Sequence, residues 1–391
     1  MRMRFRKVVF QLHWLLGISA GLVLALVGAT GALLSFEDAL LRAIDDGVLR
    51  VEPRGAPLSP AALAARAVEQ KPGRQVQAVS LERDPAAAAA VRFAPGPGGG
   101  RGERAYADPY TGTLLGEPRG AGVFRTTMQL HRWLAAGDVG KQVVGASTVA
   151  LVYFCISGLY LRWPRRRWKS LRTWLALDWK QKGGAFVWHL HAVAGTWVLV
   201  AYLVMALSGL WWSYGWYREG LQGWAGMLPP ANAAAAGRGA AAAGGDRPDE
   251  AAGEQSGFGP DQAWTRFVAA APDWGSATLS WPGREGRMQV RWLAQDGPHE
   301  RAWNTLALAA DGSVVLDERY RDRPWRQRLV GSIFAVHRGS YFGLAGVWVF
   351  MLASAAMPLF AVTGWMLYLR RRRLKRARSS MRSGALATAR T

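Results

Sequence analysis

Apolar and polar positions divide this chain of 391 residues into four long apolar runs separated by polar segments. A helix that rises 1.5 Å per residue needs roughly 20 residues to cross about 30 Å of hydrocarbon, and each run reaches that length. The runs cover residues 9–36, 143–163, 186–214 and 341–369. The pattern predicts four transmembrane helices.

The polar segments between the runs alternate between long and short. Each long segment contains a helix-like stretch, "PAALAARAVEQ" or "PDQAWTRFVAAAP", followed by strand-like stretches and a hairpin turn at 111–112 or 311–312. The predicted fold is a mainly α membrane protein: a four-helix bundle with two exterior α+β modules. The predicted boundaries are transmembrane helix 1 in 1–36, exterior module 1 in 37–130, transmembrane helix 2 in 131–163, a cytoplasmic loop in 164–185, transmembrane helix 3 in 186–217, exterior module 2 in 218–335 with a low-complexity linker at 229–260, transmembrane helix 4 in 336–370, and a basic cytoplasmic tail in 371–391.

Basic residues concentrate in the short polar segments. Of 49 Lys and Arg, 21 lie before the first run, from Arg162 at the end of the second run to the start of the third, or after the fourth, where Asp178 is the one acidic residue. Short segments rich in Lys and Arg remain cytoplasmic, so both termini are expected inside and both long segments outside. The formal charge of +22 therefore reflects orientation and contact with lipid, and no nucleic-acid partner is expected.

The N-terminus also has features of a cleaved signal peptide, namely a basic start, an apolar core and the small residues of "GATGA". Its apolar run is longer than the core of about 7 to 15 residues that such peptides use. A retained transmembrane helix is the preferred interpretation.

A repeat relates the two halves of the chain. A histidine precedes a glycine by 18 residues in the first and third runs, and by 27 residues around the second and fourth. These pairs are His13–Gly31, His191–Gly209, His131–Gly158 and His337–Gly364. The matched spacings predict a duplicated unit of span, exterior module and span.

The four repeated histidines form two predicted pairs. His13 and His191 lie near the cytoplasmic starts of their spans, whereas His131 and His337 lie near the exterior starts of theirs. An ionisable side chain at membrane depth is costly and usually functional, and two imidazoles across a helix bundle can serve as axial ligands of haem iron. Structural zinc usually uses thiolates among four ligands, and the chain has one cysteine. Two haem b groups per chain are therefore expected.

Three further residues belong to the candidate site. His189 is an alternative ligand to His191, but only His191 keeps the spacing of 18 residues. Arg132 and Arg338 directly follow the exterior histidines, where they would pair with haem propionates or anchor the chain at the membrane interface.

The chain resembles the PepSY-associated transmembrane proteins, a family of iron-regulated bacterial inner-membrane proteins that includes ferric-siderophore reductases. The resemblance is densest in "HRGSYFGLAGVWVFMLASAAMPLFAVTGWMLYLRRRR" and in "YADPYTGTLLGE", which is similar to the end of a PepSY module. The family's histidine followed four residues later by glycine matches His13 and His191, and its exterior histidines match His131 and His337. Where the family often has an acid before the third-span histidine, this chain has "WHLH", which keeps His189 as an alternative.

The resemblance implies a di-haem b reductase of the inner membrane that passes electrons to an acceptor in the periplasm, in particular a ferric siderophore, and releases Fe(II). The short cytoplasmic segments are too small for a nicotinamide or flavin domain, so the donor is expected to be quinol or a separate protein. Two alternatives remain: a non-catalytic membrane protein that binds or regulates a peptide or protease, and a transporter of the iron complex.

Overall fold

The computed structural model describes residues 2–96, 102–163, 171–228, 258–282 and 286–388. The chain divides into two compact units, which are treated separately below. The helical unit comprises Met1–Phe36, Phe124–Arg218 and Val336–Thr391, and the sheet unit comprises Glu37–Val123 and Glu219–Ala335. The predicted linker at 229–260 lies outside the described residues up to position 257, as do positions 164–170 of the predicted cytoplasmic loop.

Helices account for most of the described chain. In chain order they are α1 (Arg2–Leu34), α2 (Glu37–Ile44), α3 (Asp46–Leu49), α4 (Pro60–Gln70), α5 (Ala121–Trp133), α6 (Gly137–Arg162), α7 (Leu171–Leu175), α8 (Gly183–Trp197), α9 (Leu199–Ser213), α10 (Gly215–Trp224), α11 (Pro260–Ala270), α12 (Trp325–Gly331), α13 (Ile333–Arg338), α14 (Gly343–Ala355) and α15 (Met357–Thr388), with 3-10 turns at Tyr320–Asp322 and Ser340–Phe342.

Three helical segments of the helical unit are long and apolar enough to cross a membrane: Arg4–Leu34, Gly137–Arg162 and Ser340–Ala377. A fourth qualifies if α8 and α9, which meet at an angle of 62°, form one broken span. The third apolar run was predicted as one helix, whereas the structure breaks it at Val198. The hydroxyl of Thr196, just before the break, donates to the carbonyl of Ala192 at 3.0 Å, and such bonds bend helices.

The core of the helical unit forms where α1, α6, α9, α14 and α15 pack together. Small residues on facing helices, such as Ala206 and Ala353, let the backbones approach closely. Tyr202 is buried in this core, and its hydroxyl donates to the carbonyl of Ala353 at 2.8 Å. Large apolar side chains such as Leu22 and Val200 are exposed on the outside, as expected of a surface that contacts lipid.

The sheet unit contains one antiparallel sheet of eight strands in the order β4-β3-β2-β1-β5-β6-β7-β8. The strands are β1 (Val76–Glu82), β2 (Ala89–Phe93), β3 (Arg104–Ala107), β4 (Leu114–Gly116), β5 (Trp274–Ser280), β6 (Met288–Ala294), β7 (Asn304–Leu308) and β8 (Val314–Glu318). The sequence predicts one α+β module in each long segment; in the structure β1 and β5 pair with each other, so strands of both segments form one sheet. This pairing removes two exposed strand edges.

Each half of the sheet carries one helix on the same face. The helix α4 begins after Ser59, whose side chain accepts from the amide of Ala62, and it packs on β1 and β2. In the second half, α11 packs on β5 and β6. The hairpin turns lie where they were predicted, with Gly112 and Gly312 at φ of 75° and 81°, a conformation that glycine adopts without strain.

Candidate functional site

The structure brings the four repeated histidines together in two pairs within the helical unit. The facing pair consists of His131 and His337, whose ring centres are 6.4 Å apart at an interplanar angle of 65°. Two imidazoles bound to one metal ion through bonds of about 2 Å have ring centres about 6 Å apart. The observed separation is therefore compatible with one metal ion that both imidazoles would hold.

The cavity pair consists of His13 and His191, which line one cavity of about 900 Å³. This volume lies within the range of roughly 300 to 1,000 Å³ that is usual for cofactor and ligand sites. A β-carbon added at Gly17, Gly21 or Gly364 in the cavity wall would meet no atom within 4 Å. The glycines therefore leave open space beside the backbone, and a flat ligand can approach it.

The two pairs lie at different levels of the helical unit. His131 contacts Thr30 of α1, at a distance of 3.1 Å from its Nδ1 to the hydroxyl. Thr30 is 17 residues beyond His13 on the same helix, which corresponds to about 25 Å along its axis. One metal ion cannot bridge this distance, so the pairs form two separate candidate sites.

A hydroxyl group of a neighbouring helix holds the Nδ1 atom of each histidine. The four contacts are His13–Ser157 at 2.7 Å, His191–Thr363 at 2.7 Å, His131–Thr30 at 3.1 Å and His337–Ser208 at 2.9 Å. Each of these hydroxyls also donates to the carbonyl four residues before it in its own helix, at 2.6 to 2.7 Å. Because the hydroxyl proton is used in that bond, its oxygen is available to accept a proton from Nδ1.

This arrangement favours one tautomer of all four imidazoles. In the facing pair, the carbonyl oxygens of Val27 and Met205 also lie 2.9 and 3.1 Å from the Nδ1 atoms of His131 and His337, and a carbonyl only accepts. A neutral imidazole that carries its proton on Nδ1 has a lone pair on Nε2. Within the described part of the chain, no hydrogen bond reaches any of these four Nε2 atoms, which leaves the lone pairs available for a metal ion.

Two phenylalanines at matched positions of the repeat lie beside the cavity pair. Phe154 contacts the His13 ring edge-on with centres 5.1 Å apart, and Phe360 contacts the His191 ring edge-on at 5.3 Å. Each phenylalanine precedes a glycine of the repeat by four residues. The two histidines of the cavity pair therefore have matching surroundings.

A family model described as the PepSY-associated TM region matches residues 10–371. The chain belongs to this family. No curated protein matches the chain. The matched range includes all four repeated histidines and confirms the resemblance inferred from the sequence motifs; with the apolar helices it supports a membrane protein.

The facing histidines of this PepSY-associated TM protein lie on helices of their own. The sequence was expected to place His131 at the start of the span 131–163, but α5 ends at Trp133 and the span begins at Gly137. Leu134 and Ala135 adopt positive φ values of 49° and 54°, which interrupts the helix. His337 likewise lies on α13, which ends before Gly339 with its φ of 88°.

The structure separates the two rival histidines of the PepSY-associated TM protein. His191 lines the cavity with His13, whereas His189 is not among the residues of the cavity wall. The His189 side chain is buried, and its Nε2 has no hydrogen-bond partner among the described residues. The choice of His191 as the ligand stays a prediction, to which the cavity adds a geometric argument.

The two predicted arginines both contact protein groups. Arg338 donates from Nε and Nη2 to the carbonyl of Ser35 at 3.1 and 2.8 Å. The guanidinium of Arg132 stacks on Trp133, 4.3 Å from the ring centre. Pairing with propionates remains a prediction for both.

Sequence reasoning overlooked the hydroxyl groups and the basic wall of the cavity. A Ser or Thr directly precedes each glycine of the repeat, so the signal for the hydroxyls was present in the sequence. From the sequence alone, membrane orientation is a sufficient explanation of the basic side chains. Six of them line the cavity: Arg6, Lys7, Arg162, Arg371, Arg372 and Lys375. They are suited to pair with carboxylate groups of a bound ligand.

These residues fit haem. Each pair offers two neutral imidazole nitrogens from different elements of a helix bundle, and the cavity combines apolar walls with basic side chains for propionates. Among the described residues, no three His, Cys, Asp or Glu side chains cluster as a metal site made only of protein ligands would require.

Proposed function

We propose that this PepSY-associated TM protein is a di-haem b reductase of the bacterial inner membrane that passes electrons to a ferric siderophore in the periplasm. His13 and His191 would hold one haem, and His131 and His337 the other. When bound, each haem supplies a reversible one-electron carrier. The protein's own contribution is to orient the ligands, exclude water and hold a proton on each Nδ1 atom.

One observation carries the proposal: the two histidine pairs have Nδ1 atoms held by hydroxyls at matched repeat positions. Hydrogen bonds that accept the Nδ1 proton of a metal-bound histidine orient its ring and raise its basicity. Histidines with a purely structural role need neither this repeated hydrogen-bond arrangement nor a placement as two pairs about 25 Å apart along a helix bundle.

The proposed architecture is a duplicated four-span bundle with two PepSY-like modules on its exterior side. The basic segments support cytoplasmic termini, and the long insertions would then be periplasmic. In this orientation the cavity pair lies at the cytoplasmic level and the facing pair at the periplasmic level. The basic side chains of the cavity wall would orient the propionates of the cytoplasmic-side haem.

The net reaction joins an internal donor to an external acceptor. Oxidation of one quinol to quinone releases two electrons and two protons, and each Fe(III) chelate takes up one electron to become Fe(II). Fe(II) binds hard oxygen ligands more weakly than Fe(III), which favours release of the metal. A separate electron-carrier protein would serve equally as the donor.

Purified protein from haem-replete cells should be red and contain two haem b groups per chain. The expected measurement is a pyridine haemochrome assay, with sharp absorption bands after reduction by dithionite. A double variant that lacks one histidine of each pair, His13→Ala with His131→Ala, should lose both groups. A colourless wild-type protein would contradict the proposal and would favour a non-catalytic role in binding a peptide or protease.

Removal of a hydroxyl that holds the Nδ1 atom of a histidine should weaken haem binding without abolishing it. Ser157→Ala or Thr363→Val removes the oxygen that accepts from the Nδ1 atom of His13 or His191. We expect haem affinity to fall about 10- to 100-fold, and the reduction potential of that haem to rise because its ligand is less basic. Haem titration and spectroelectrochemistry measure these changes.

Ser19→Ala is the matched control for these variants. The Ser19 hydroxyl lies on α1 and donates to the carbonyls of Leu15 and Leu16, and among the described residues it makes no hydrogen bond to a histidine. This variant should match the wild type. Unchanged haem affinity and potential in Ser157→Ala and Thr363→Val would show that the hydroxyls do not hold ligands.

A further inference from the structure

Two arginines occupy equivalent positions in the two halves of the sheet. Arg92 lies in the sequence "VRF" of β2, and Arg291 lies in "VRW" of β6. Arg92 pairs with Ala78 of β1, and Arg291 pairs with Thr278 of β5; Thr278 lies 200 positions beyond Ala78 in the chain. The repeat that relates the halves of the chain therefore places one arginine on each side of the β1–β5 junction.

Strand register places both arginines on the same face of the sheet. Arg92 lies opposite Ala78, which lies opposite Ser280, and Ser280 lies opposite Gln289. Directly opposed residues share a face, and Arg291 is two residues beyond Gln289, so it also shares that face. The other face carries Val91, Val79, Leu279 and Val290, which are fully buried beneath α4 and α11.

The arginine face brings like charges together. Arg92 lies directly opposite Arg104 of β3, and like charges at such positions destabilise a sheet. Burial lowers the pKa of the Arg291 guanidinium, and repulsion from Arg323, Arg301 and Arg92 lowers it further. A bound anion would reduce the repulsion between these arginines and stabilise the sheet surface.

The protein itself compensates this charge only in part. Arg323 pairs with Glu318 at 2.9 Å, but Arg92 and Arg291 make no ion pair or hydrogen bond with the described residues. Arg291 instead lies over the Trp303 ring, 5.1 Å from its centre. Glu82 lies on the same face; desolvation raises the pKa of its carboxyl to about 7, while Arg42 and Arg104 act in the opposite direction.

Small hydroxyl side chains lie between the two arginines. Ser80 of β1 and Thr278 of β5 bond to each other through their hydroxyls at 2.8 Å across the junction. Ser276 and Ser280 lie on the same strand face, two residues on either side of Thr278. Short side chains leave the longer guanidinium groups prominent, and the hydroxyls add donors for oxygen atoms of a ligand.

We propose that this arginine face, formed by Arg92, Arg104 and Arg291, binds a small ligand that carries several carboxylate groups. Bidentate pairing with carboxylates is the interaction for which the guanidinium fork is suited. The inference rests on the proposed function in one respect: in a ferric reductase the ligand would be an anionic ferric polycarboxylate chelate. The substrate class would then be anionic chelates, in contrast to cationic hydroxamates.

Gallium(III) citrate is a suitable probe because gallium(III) does not undergo reduction under these conditions. Binding is measured by equilibrium dialysis with the full-length protein in nanodiscs of neutral lipid. Arg92→Gln and Arg291→Gln should each weaken binding at least about tenfold, as loss of a charge-assisted contact does, and the double variant should weaken it further. Binding by the wild type should weaken as salt is added.

Arg54→Gln is the matched control, because Arg54 lies in a loop of the same unit and pairs with Glu52 at 3.3 Å. This variant should bind gallium(III) citrate like the wild type. The gallium(III) complex of a cationic trihydroxamate should bind no more tightly to the wild type than to the double variant. Circular dichroism establishes that the variants are folded.

Three results would overturn the proposal. The first is no binding of gallium(III) citrate by the wild type, and the second is equal binding by the wild type and the double variant. The third is a double variant that binds gallium(III) citrate normally but has lost binding to vesicles of anionic phosphatidylglycerol. The last result would assign the arginines to lipid. Haem content is measured separately, so the proposed reductase function is tested independently of these binding results. Conversely, if the purified protein contained no haem but still bound gallium(III) citrate through Arg92 and Arg291, the proposed reductase function would be wrong and the proposed anion site would be supported.

Discussion

His191→Ala should lose about one haem per chain, whereas His189→Ala should retain both. His191 lines the cavity with His13, and its Nδ1 lies 2.7 Å from the hydroxyl of Thr363. His189 lies outside the cavity wall. Loss of an axial ligand removes a bond to the metal, while loss of a nearby imidazole removes only packing. Haem content relative to protein, measured by pyridine haemochrome, gives the comparison.

The outcome for His189 is informative because its Nε2 is buried without a hydrogen-bond partner. His189→Gln serves as a milder variant that keeps a polar side chain of similar length, and it should also retain two haems. Equal haem loss in His189→Ala and His191→Ala, with both proteins folded, would show that the spacing of 18 residues is a poor guide to the ligand.

Much of the fold follows from local sequence signals. The apolar runs predict the long helices, and the cap at Ser59 and the glycines at 112 and 312 predict a helix start and two turns. The breaks in the helical unit have weaker signals. Leu134 and Ala135 adopt positive φ values and separate α5 from α6. Neither residue type favours positive φ, so tertiary packing decides the conformation there.

The joined sheet was not predictable by the same reasoning. Alternation of apolar and polar residues gives the faces of β1 and β5, but it does not identify the partner of an edge strand. The pairing of Ser80 with Thr278 joins residues nearly 200 positions apart. Two separate modules and one continuous sheet have the same local pattern.

The candidate site was predictable where it depends on spacing. The repeat selected the histidines that the structure brings together as His13 with His191 and His131 with His337. The tautomers were not predictable, because they depend on hydroxyls from other helices whose protons are already used in backbone bonds. The Ser or Thr before each repeated glycine gains its meaning only when the helices are packed.

His337→Ala should remove only the haem of the facing pair. His337 belongs to that pair through its ring contact with His131, and its Nδ1 is held by Ser208 at 2.9 Å. The cavity pair lies about 25 Å away along α1 and should keep its ligands. The variant should therefore contain one haem per chain, which its electron donor still reduces, but it should fail to reduce an exterior ferric chelate. His13→Ala should block both steps, because it removes a proposed ligand of the haem that would receive the electron first.

The matched control for His337→Ala is His299→Ala, which changes a histidine of the sheet unit that belongs to neither pair. The Nε2 of His299 lies 3.1 Å from the Tyr320 hydroxyl and its Nδ1 accepts from the amide of Arg301 at 3.1 Å, so its loss removes hydrogen bonds within the sheet unit and should leave both haems and ferric reduction intact. Absorption spectra during reduction by the donor, followed by trapping of Fe(II), separate the two steps. If His337→Ala abolished both haem spectra in a folded protein, the pairs would not be independent. If ferric reduction survived in His337→Ala, electrons would leave by a route that avoids the facing pair, and the two-site path would be abandoned.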